Sequence, residues 1–248
     1  MKTRNLCLKQ SLARIYSVRA LTLALALSLT AVGSVSASAI DACAVSPTDA
    51  GCLINTASSK QVVVNKTRAL SPSTYRPSDL ITVPKYNPYG RILRREVSAS
   101  VVRLGNAMKS AGKGTLIVQS GYRSYSSQKT IHKAKVRALG KTKGEKLAAR
   151  PGYSEHQTGL AVDFAARGVS TLQVSFAKTK AGKWLAANAY RYGFVLRYPS
   201  GKTAITGYSF EPWHFRYVGV DLATAMHDQS ITTLEEYFAL PAAPNYLN

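Results

Sequence analysis

Hydrophobic positions along the chain recur at two spacings, which predict a mixture of helices and strands. Over residues 95–111 apolar side chains return at helical spacing, and Gly112 follows as a stop. Shorter apolar or alternating stretches are typical of strands. The pattern predicts short helices near the C-terminus, further helices at 126–139 and 180–193, and strands at 115–120, 159–165, 194–199 and 212–218. Because these elements do not alternate regularly as βαβ units, the α+β fold class is favoured.

Two stretches in the N-terminal part lack these periodic patterns. Residues 40–70 are rich in Ser, Ala and Thr, and we interpret them as an extended N-terminal arm. Residues 71–90 contain four prolines, which favour an ordered loop and argue against a helix. The folded domain is therefore expected over residues 71–248.

The first 39 residues have the features of a secretory signal peptide. Five Lys and Arg residues precede a mostly apolar stretch at 20–32, and Ala37 and Ala39 supply a small-residue cleavage pattern before Ile40. The apolar stretch is short for a membrane span, which needs about 20 residues. An exported protein without a stable membrane span is therefore predicted, with an uncleaved membrane anchor as the alternative.

The charge of the remaining chain favours anionic partners. Residues 1–39 hold five of the 33 basic residues and none of the 12 acidic ones, so residues 40–248 carry a net charge of +16. For an exported protein the candidates are anionic wall polymers, lipid surfaces and nucleic acid. The basic residues are spread over the chain without a nucleic-acid-binding motif, which favours surface targeting and argues against nucleic acid.

Two cysteines remain after removal of the signal peptide, which contains Cys7. Cys43 and Cys52 lie close together in an exported chain, so a local disulfide is predicted. The alternative is lipid modification of Cys43, although Asp41 places a charge where such a motif has a small or apolar residue. No cysteine-rich metal pattern is present in the sequence.

The stretch PGYSEHQTGLAVDF (151–164) contains the first candidate metal ligands. Side chains alternate along a strand, so Asp163 points away from the bulky apolar residues, on a face that it shares with two alanines. His156 precedes the strand, and Gly159 allows the chain to turn between them. Imidazole and carboxylate groups are zinc ligands. On this stretch alone, a salt-bridged Asp beside a loop His is an equally good explanation.

A second stretch, FEPWHFRYVG (210–219), adds a histidine and a glutamate. In the predicted strand the aromatic residues share one face and His214 points to the other, while Glu211 precedes it by three residues. Together the two stretches offer three ligands, an open fourth position and a general base, as a catalytic zinc hydrolase requires. The alternative for His214 is a core histidine beside aromatic residues.

These stretches, with SGYRSYSSQ (120–128) and YGFVLRYP (192–199), resemble the VanY-type zinc D-alanyl-D-alanine carboxypeptidases of bacterial cell-wall metabolism. The resemblance covers about 71–219, in the expected order. It implies a small antiparallel sheet flanked by helices, as in hedgehog-like and lysostaphin-like zinc domains. It also implies a set of site residues: zinc ligands His156, Asp163 and His214, catalytic base Glu211, and substrate-binding residues Arg123, Gln128 and Ser154.

The physical chemistry of the residues agrees with this resemblance, and alternatives remain at several positions. A carboxypeptidase must recognise a free terminal carboxylate, which the planar guanidinium of Arg123 binds in a bidentate manner. Arg123 can instead be a surface residue, Gln128 an ordinary helix-surface residue, and Ser154 a turn or cap residue. Glu155 is interpreted as structural, either holding the loop or orienting a ligand.

The expected function is therefore removal of the C-terminal D-alanine from peptidoglycan stem peptides by a zinc-dependent, monomeric enzyme. An L,D-carboxypeptidase or a wall endopeptidase would use the same residues. A non-catalytic wall-binding module that keeps zinc for structure belongs to a different class of function. Structural zinc sites have four protein ligands, whereas the sequence offers three and a Glu, which favours the enzyme.

Overall fold

A four-stranded antiparallel sheet lies at the centre of the protein, for which a computed structural model describes residues 53–169 and 172–247. Its strand order is β3-β4-β6-β5, and a separate two-stranded antiparallel sheet pairs β1 with β2. The strands are β1 Leu80–Thr82, β2 Ile92–Arg94, β3 Leu116–Ser120, β4 Ala161–Ala166, β5 Phe194–Leu196 and β6 His214–Tyr217.

Helices lie before, between and after the strands of the larger sheet. They are α1 Arg95–Ser110, α2 Tyr125–Leu139, α3 Lys141–Gly144, α4 Lys180–Asn188, α5 Thr203–Thr206, α6 Val220–Asp228 and α7 Leu234–Tyr237. Three short 3₁₀ turns complete the described elements, at Glu155–Thr158, Val174–Lys178 and Ala189–Tyr192. This arrangement confirms the predicted α+β class with a small antiparallel sheet and helices.

The two faces of the central strands have different environments, as the alternation predicted. Val162 and Phe164 of β4 and Phe215 of β6 belong to the main hydrophobic core, which also contains the buried face of α1. Asp163 and His214 lie on the opposite face and are buried as well. The sheet therefore buries apolar side chains on one face and chemically active groups on the other.

Residues 53–70, the described part of the predicted N-terminal arm, pack against the rest of the domain. Val62, Val64 and Leu70 are buried in the main core, and Ile54 is buried in a second apolar cluster with α6 and α7. These side chains gain from removing apolar surface from water. The packing thus continues through the boundary predicted at residue 71. The predicted signal peptide (1–39), Cys43 and Cys52 lie outside the described residues.

Most predicted elements have their counterparts, but the short elements β2, α3 and α5 were not predicted, and two further differences occur. The Pro-rich stretch 71–90 contains β1, whose three residues are too few to show a strand pattern between prolines. The helix predicted at 180–193 ends at Asn188 and continues as a 3₁₀ turn to Tyr192. Within residues 53–169 and 172–247 no helix has the length and apolar character needed to cross a membrane.

Candidate active site

Asp163 and His214 face each other at the centre of the four-stranded sheet. The strand register pairs Asp163 on β4 with His214 on β6, and Asp163 Oδ1 lies 3.1 Å from His214 Nδ1. On its other side Asp163 pairs with Ser120, after an irregularity in the β3–β4 register. Bulges of this kind are frequent beside functional sites because they redirect side chains. The register therefore brings together two of the predicted ligands.

His156 reaches the same place from the 3₁₀ turn that precedes β4. Gly159 ends this turn with a φ of +68°, in the left-handed region that favours glycine. The Nδ1–H of His156 donates to the carbonyl oxygen of Gly121 at 2.7 Å, and Nε2 lies 3.3 Å from Asp163 Oδ2. The hydrogen bond to Gly121 thus turns Nε2 toward the other two candidate ligands.

The three side chains fit a metal ion. Ligand atoms of His156, Asp163 and His214 all lie within 4.8 Å of one another, and all three residues are buried. His156 Nε2 is buried without a hydrogen-bond partner among the described residues. Burial lowers the pKa of His156 to about 4, with the charge of Arg123 acting in the same direction, so the imidazole is neutral. Two imidazoles and a carboxylate are a set that zinc accepts.

Glu155 lies on the side of His214 that faces the protein interior. Its Oε2 is 3.5 Å from His214 Nε2. Its Oε1 accepts hydrogen bonds from Arg197 Nε at 2.8 Å and from Arg216 Nη1 at 2.9 Å. Burial disfavours the charged carboxylate, but these two guanidinium groups hold the pKa of Glu155 well below its usual value. Glu155 is therefore a buried carboxylate with a permanent charge.

Glu211 lies on the other side of His214, at the cleft. Its Oε2 is 3.8 Å from His214 Nδ1, and its backbone N–H donates to the carbonyl of Tyr198 at 3.1 Å. Burial raises the pKa of Glu211 to about 7, although the charges of His214 and Arg123 oppose this. A carboxyl group that titrates near neutrality can take up and release a proton during a reaction.

Arg123 and Gln128 form one unit at the edge of the cleft. Arg123 follows β3, and its backbone N–H donates to the carbonyl of His156 at 3.1 Å. Arg123 Nη1 donates to Gln128 Oε1 at 3.0 Å, and Gln128 Nε2 donates to the carbonyl of Ala149 at 2.8 Å. Arg123 Nη2 lies 3.7 Å from Asp163 Oδ2. Gln128 is thus buried and holds the guanidinium, whereas a helix-surface position was the alternative.

A cleft with a volume of about 650 Å³ contains all seven predicted site residues. Ser154 lines it and is 4% exposed. The cleft also has aromatic walls, Tyr198, Tyr208 and Trp213, and Lys135 of α2, none of which was predicted from the sequence as a cleft residue. Tyr208 and Trp213 lie in the same segment as Glu211 and His214, but the strand pattern predicts which side chains share a face and not which ones line a cleft.

The two buried arginines, Arg197 and Arg216, were not predicted from the sequence either. Arg216 carried a signal, since it follows His214 by two residues in a strand and therefore shares its face. Arg197 carried none, because it stands among 33 basic residues.

This arrangement suits metal-assisted hydrolysis. Three ligands leave one coordination position of a tetrahedral site open to the cleft. Glu211 lies 3.8 Å from His214 Nδ1 in the same cleft, where its carboxylate would be suited to act as a base, and a guanidinium at the cleft can bind a carboxylate.

Comparison with known proteins gives a family match over more than half of the chain. The model of the VanY family, described as D-alanyl-D-alanine carboxypeptidase, matches residues 90–220. YodJ of Bacillus subtilis (strain 168), which is named a putative carboxypeptidase, is 43% identical over 183 residues. These residues are 71% of this chain and 66% of that protein. Across the first three curated relatives, the matched segments cover between 46% and 66% of the relatives' own length.

Solved structures show the same fold. LdcB is an LD-carboxypeptidase whose solved structure reveals the molecular basis of peptidoglycan recognition. It is 42% identical with a TM-score of 0.67, and the match covers 73% of this chain and 86% of that one. A vancomycin-resistance D,D-pentapeptidase, VanY from a VanB-type cassette, was solved as a Glu-to-Ala mutant with Zn(II). It is 37% identical with a TM-score of 0.59, covering 71% of this chain and 97% of that one.

Proposed function

Because the chain belongs to the VanY family of D-alanyl-D-alanine carboxypeptidases, we propose that it removes the C-terminal D-alanine from peptidoglycan stem peptides by zinc-dependent hydrolysis. One observation carries the proposal: three candidate ligands converge at a cleft that also contains a separate glutamate and a guanidinium group. A structural zinc site would instead be closed by a fourth protein ligand.

Zinc would be held by His156 Nε2, the carboxylate of Asp163 and His214 Nδ1. When bound, zinc lowers the pKa of a coordinated water and polarises the scissile carbonyl group. The solved VanY structure with Zn(II) supports this choice of metal. Buried side chains around the ligands exclude bulk water and hold the imidazoles in fixed orientations.

Glu211 would act as the general base. Its carboxylate takes a proton from the attacking water and passes it to the nitrogen of the leaving D-alanine. The raised pKa of Glu211, about 7, suits a group that must be charged before the attack and protonated after it. Its position 3.8 Å from His214 Nδ1, beside the candidate ligands, supports this role.

Arg123 would bind the terminal carboxylate of the substrate. Its guanidinium lies in the cleft, 3.7 Å from Asp163 Oδ2, and Gln128 fixes its direction. Binding a free carboxylate next to the ligands limits cleavage to the last peptide bond. Ser154 lines the same cleft and would contact the peptide. Gln128 would then act through Arg123 as a positioning residue.

Export to the cell wall is part of the proposal. The signal-peptide pattern of residues 1–39 supports it, and the net charge of +16 over residues 40–248 would attract anionic wall polymers.

Mass spectrometry of synthetic stem peptides incubated with the purified chain tests this function. Loss of the fifth residue from a pentapeptide, abolished by a chelator, is the expected result. The similarity to LdcB favours one second candidate, an L,D-carboxypeptidase, which would instead shorten the tetrapeptide. Cleavage that persists with a chelator would contradict both candidates.

A further inference from the structure

Glu155 has no exposed side-chain surface and contacts His214 at Nε2, the ring nitrogen that does not face Asp163. We propose that Glu155 is a positioning residue of the metal centre. Its carboxylate fixes the tautomer and orientation of His214 by accepting a hydrogen bond from the N–H group at Nε2. The inference rests on the zinc site of the proposed function.

The contacts of His214 assign different roles to its two ring nitrogens. Nδ1 lies 3.1 Å from Asp163 Oδ1, in the group of candidate ligand atoms, and Nε2 lies 3.5 Å from Glu155 Oε2. A neutral imidazole has one N–H and one lone pair. A carboxylate only accepts hydrogen bonds, so Glu155 stabilises the tautomer with hydrogen on Nε2. The lone pair on Nδ1 is then directed at the metal position.

Two buried arginines keep the Glu155 carboxylate charged and in place. Arg197 Nε and Arg216 Nη1 both donate to Oε1, at 2.8 and 2.9 Å. The three side chains have no exposed surface. Because Oε1 takes both guanidinium groups, Oε2 remains for His214. An uncharged side chain at this position would leave buried cations without compensation, which is costly.

A second glutamate balances the charge of this group. Glu235 accepts two hydrogen bonds from Arg197, at 2.8 and 2.7 Å, so the buried ion network of Glu155, Arg197, Arg216 and Glu235 contains two charges of each sign. Glu235 lies on α7, and its carboxylate accepts hydrogen bonds from Arg197 and Asn65. It therefore offers a matched control within the same network.

The network also connects the metal centre with the N-terminal segment. Arg216 Nη2 donates to the carbonyl oxygens of Lys60 and Val62, at 2.9 and 2.7 Å. Asn65 Nδ2 donates to Glu235 Oε1 at 2.9 Å. Residues 53–70 and α7 thus supply the remaining hydrogen-bond partners of the two arginines.

The substitution Glu155→Gln tests the proposal because it reverses one hydrogen bond. With its amide oxygen toward the arginines, the glutamine would point its NH₂ group at His214 Nε2. That donor favours the tautomer with hydrogen on Nδ1, which cannot bind a metal through Nδ1. The substitution Glu235→Gln makes the same chemical change at the other carboxylate of Arg197 but leaves His214 untouched.

Zinc affinity of the purified full chain is measured by competition with a chromophoric chelator, with circular dichroism as the check on folding. We expect Glu155→Gln to weaken zinc binding about 10–100-fold, as loss of a partner to a ligating histidine typically does. Glu235→Gln should stay within about twofold of the wild type. Equal losses in the two variants, or wild-type affinity in Glu155→Gln, would overturn the proposal.

A measurement on the wild type covers the case in which a variant does not fold. Long-range ¹H–¹⁵N NMR of the zinc-loaded protein should show His214 protonated on Nε2 and ligated through Nδ1, with His156 in the opposite state. Ligation of His214 through Nε2 would overturn the proposal. Neither readout needs peptidase activity, so failure to cleave stem peptides would contradict the proposed function alone. A wild type that binds no zinc would overturn both.

Discussion

Two glutamates flank His214, and both are buried, yet they have opposite electrostatic surroundings. Glu211, on the cleft side, is 8% exposed, and burial raises its pKa to about 7. Glu155, on the interior side, is 1% exposed, and burial is outweighed by Arg197 and Arg216, which hold its pKa well below the usual value. The charged form is thus disfavoured in one and strongly stabilised in the other.

The difference shows that burial alone does not determine the charge of a carboxyl group. Desolvation acts on both glutamates, and the direct ion pairs with two guanidinium groups separate them. The charges of His214, Arg123 and Lys135 lower the pKa of Glu211 less than burial raises it, so Glu211 can exchange a proton near neutral pH. Glu155 stays an acceptor throughout. One side of His214 is suited to chemistry and the other to holding the ligand.

Removal of a ligand should have the largest effect, because it abolishes the site that both glutamates serve. We expect His156→Ala, Asp163→Ala or His214→Ala to lose the bound zinc and all measurable hydrolysis, since three ligands leave little redundancy. Metal analysis of the purified variants measures this. Near-normal zinc content in Asp163→Ala would remove Asp163 from the ligand set.

The substitution Glu211→Gln should separate the two sides of His214. We expect about 10²–10⁴-fold slower turnover with zinc retained, because a general base contributes that much and Glu211 binds no zinc here. Turnover and zinc affinity are measured on the same preparation, and Glu155→Gln is the control whose zinc affinity should fall about 10–100-fold. Loss of zinc from Glu211→Gln would make Glu211 a fourth ligand and support a structural zinc site.

Arg123 adds a test of the cleft side alone. We expect Arg123→Ala to lower kcat/KM roughly 10–100-fold, since a charge-assisted hydrogen-bonded pair is lost, and Arg123→Lys to restore only part of it. Amidation of the substrate's C-terminus should harm the wild type much more than Arg123→Ala, because the carboxylate and the guanidinium act as a pair. Equal harm to both enzymes would show that Arg123 does not bind the carboxylate, and an endopeptidase would then be favoured.

The cleft side was largely predictable from the sequence, and the interior side was not. Asp163 and His214 lie in strands whose alternation fixes their face, and the turn before β4 brings in His156. Glu155 was left between two structural roles, because its partners stand 42 and 61 residues away. Ion pairs over such separations depend on the tertiary fold, and an arginine in a basic sequence gives no local signal.

The N-terminal segment shows the same limit. Residues 53–70 have little regular periodicity, since their packing is made by an irregular chain with an isolated bridge between Asn65 and Arg68. Sequence patterns detect helices and strands through repetition, and a segment without repetition resembles an arm even when its side chains are buried.

Glu235→Gln should have the smallest effect on the metal centre and a measurable one on stability. Burial opposes the charged form of Glu235, but Arg197 lowers its pKa below the usual value. A carboxyl group with a lowered folded-state pKa contributes stability above its unfolded pKa, about 4.3, and this contribution is lost as the pH falls through the folded pKa. We therefore expect the free energy of unfolding of Glu235→Gln to be about 1–3 kcal/mol lower than that of the wild type at pH 7.

The pH dependence of this difference separates the ion pair from a packing defect. In urea unfolding at a series of pH values, the free-energy gap between the wild type and Glu235→Gln should narrow as the pH falls below the unfolded pKa of about 4.3, because the unfolded chain then binds a proton that the folded carboxylate does not. A packing defect would give a gap that does not change with pH. A gap constant from pH 7 to pH 3 would mean that the charge of Glu235 does not stabilise Arg197, and the network would then hold Glu155 through Arg216 alone.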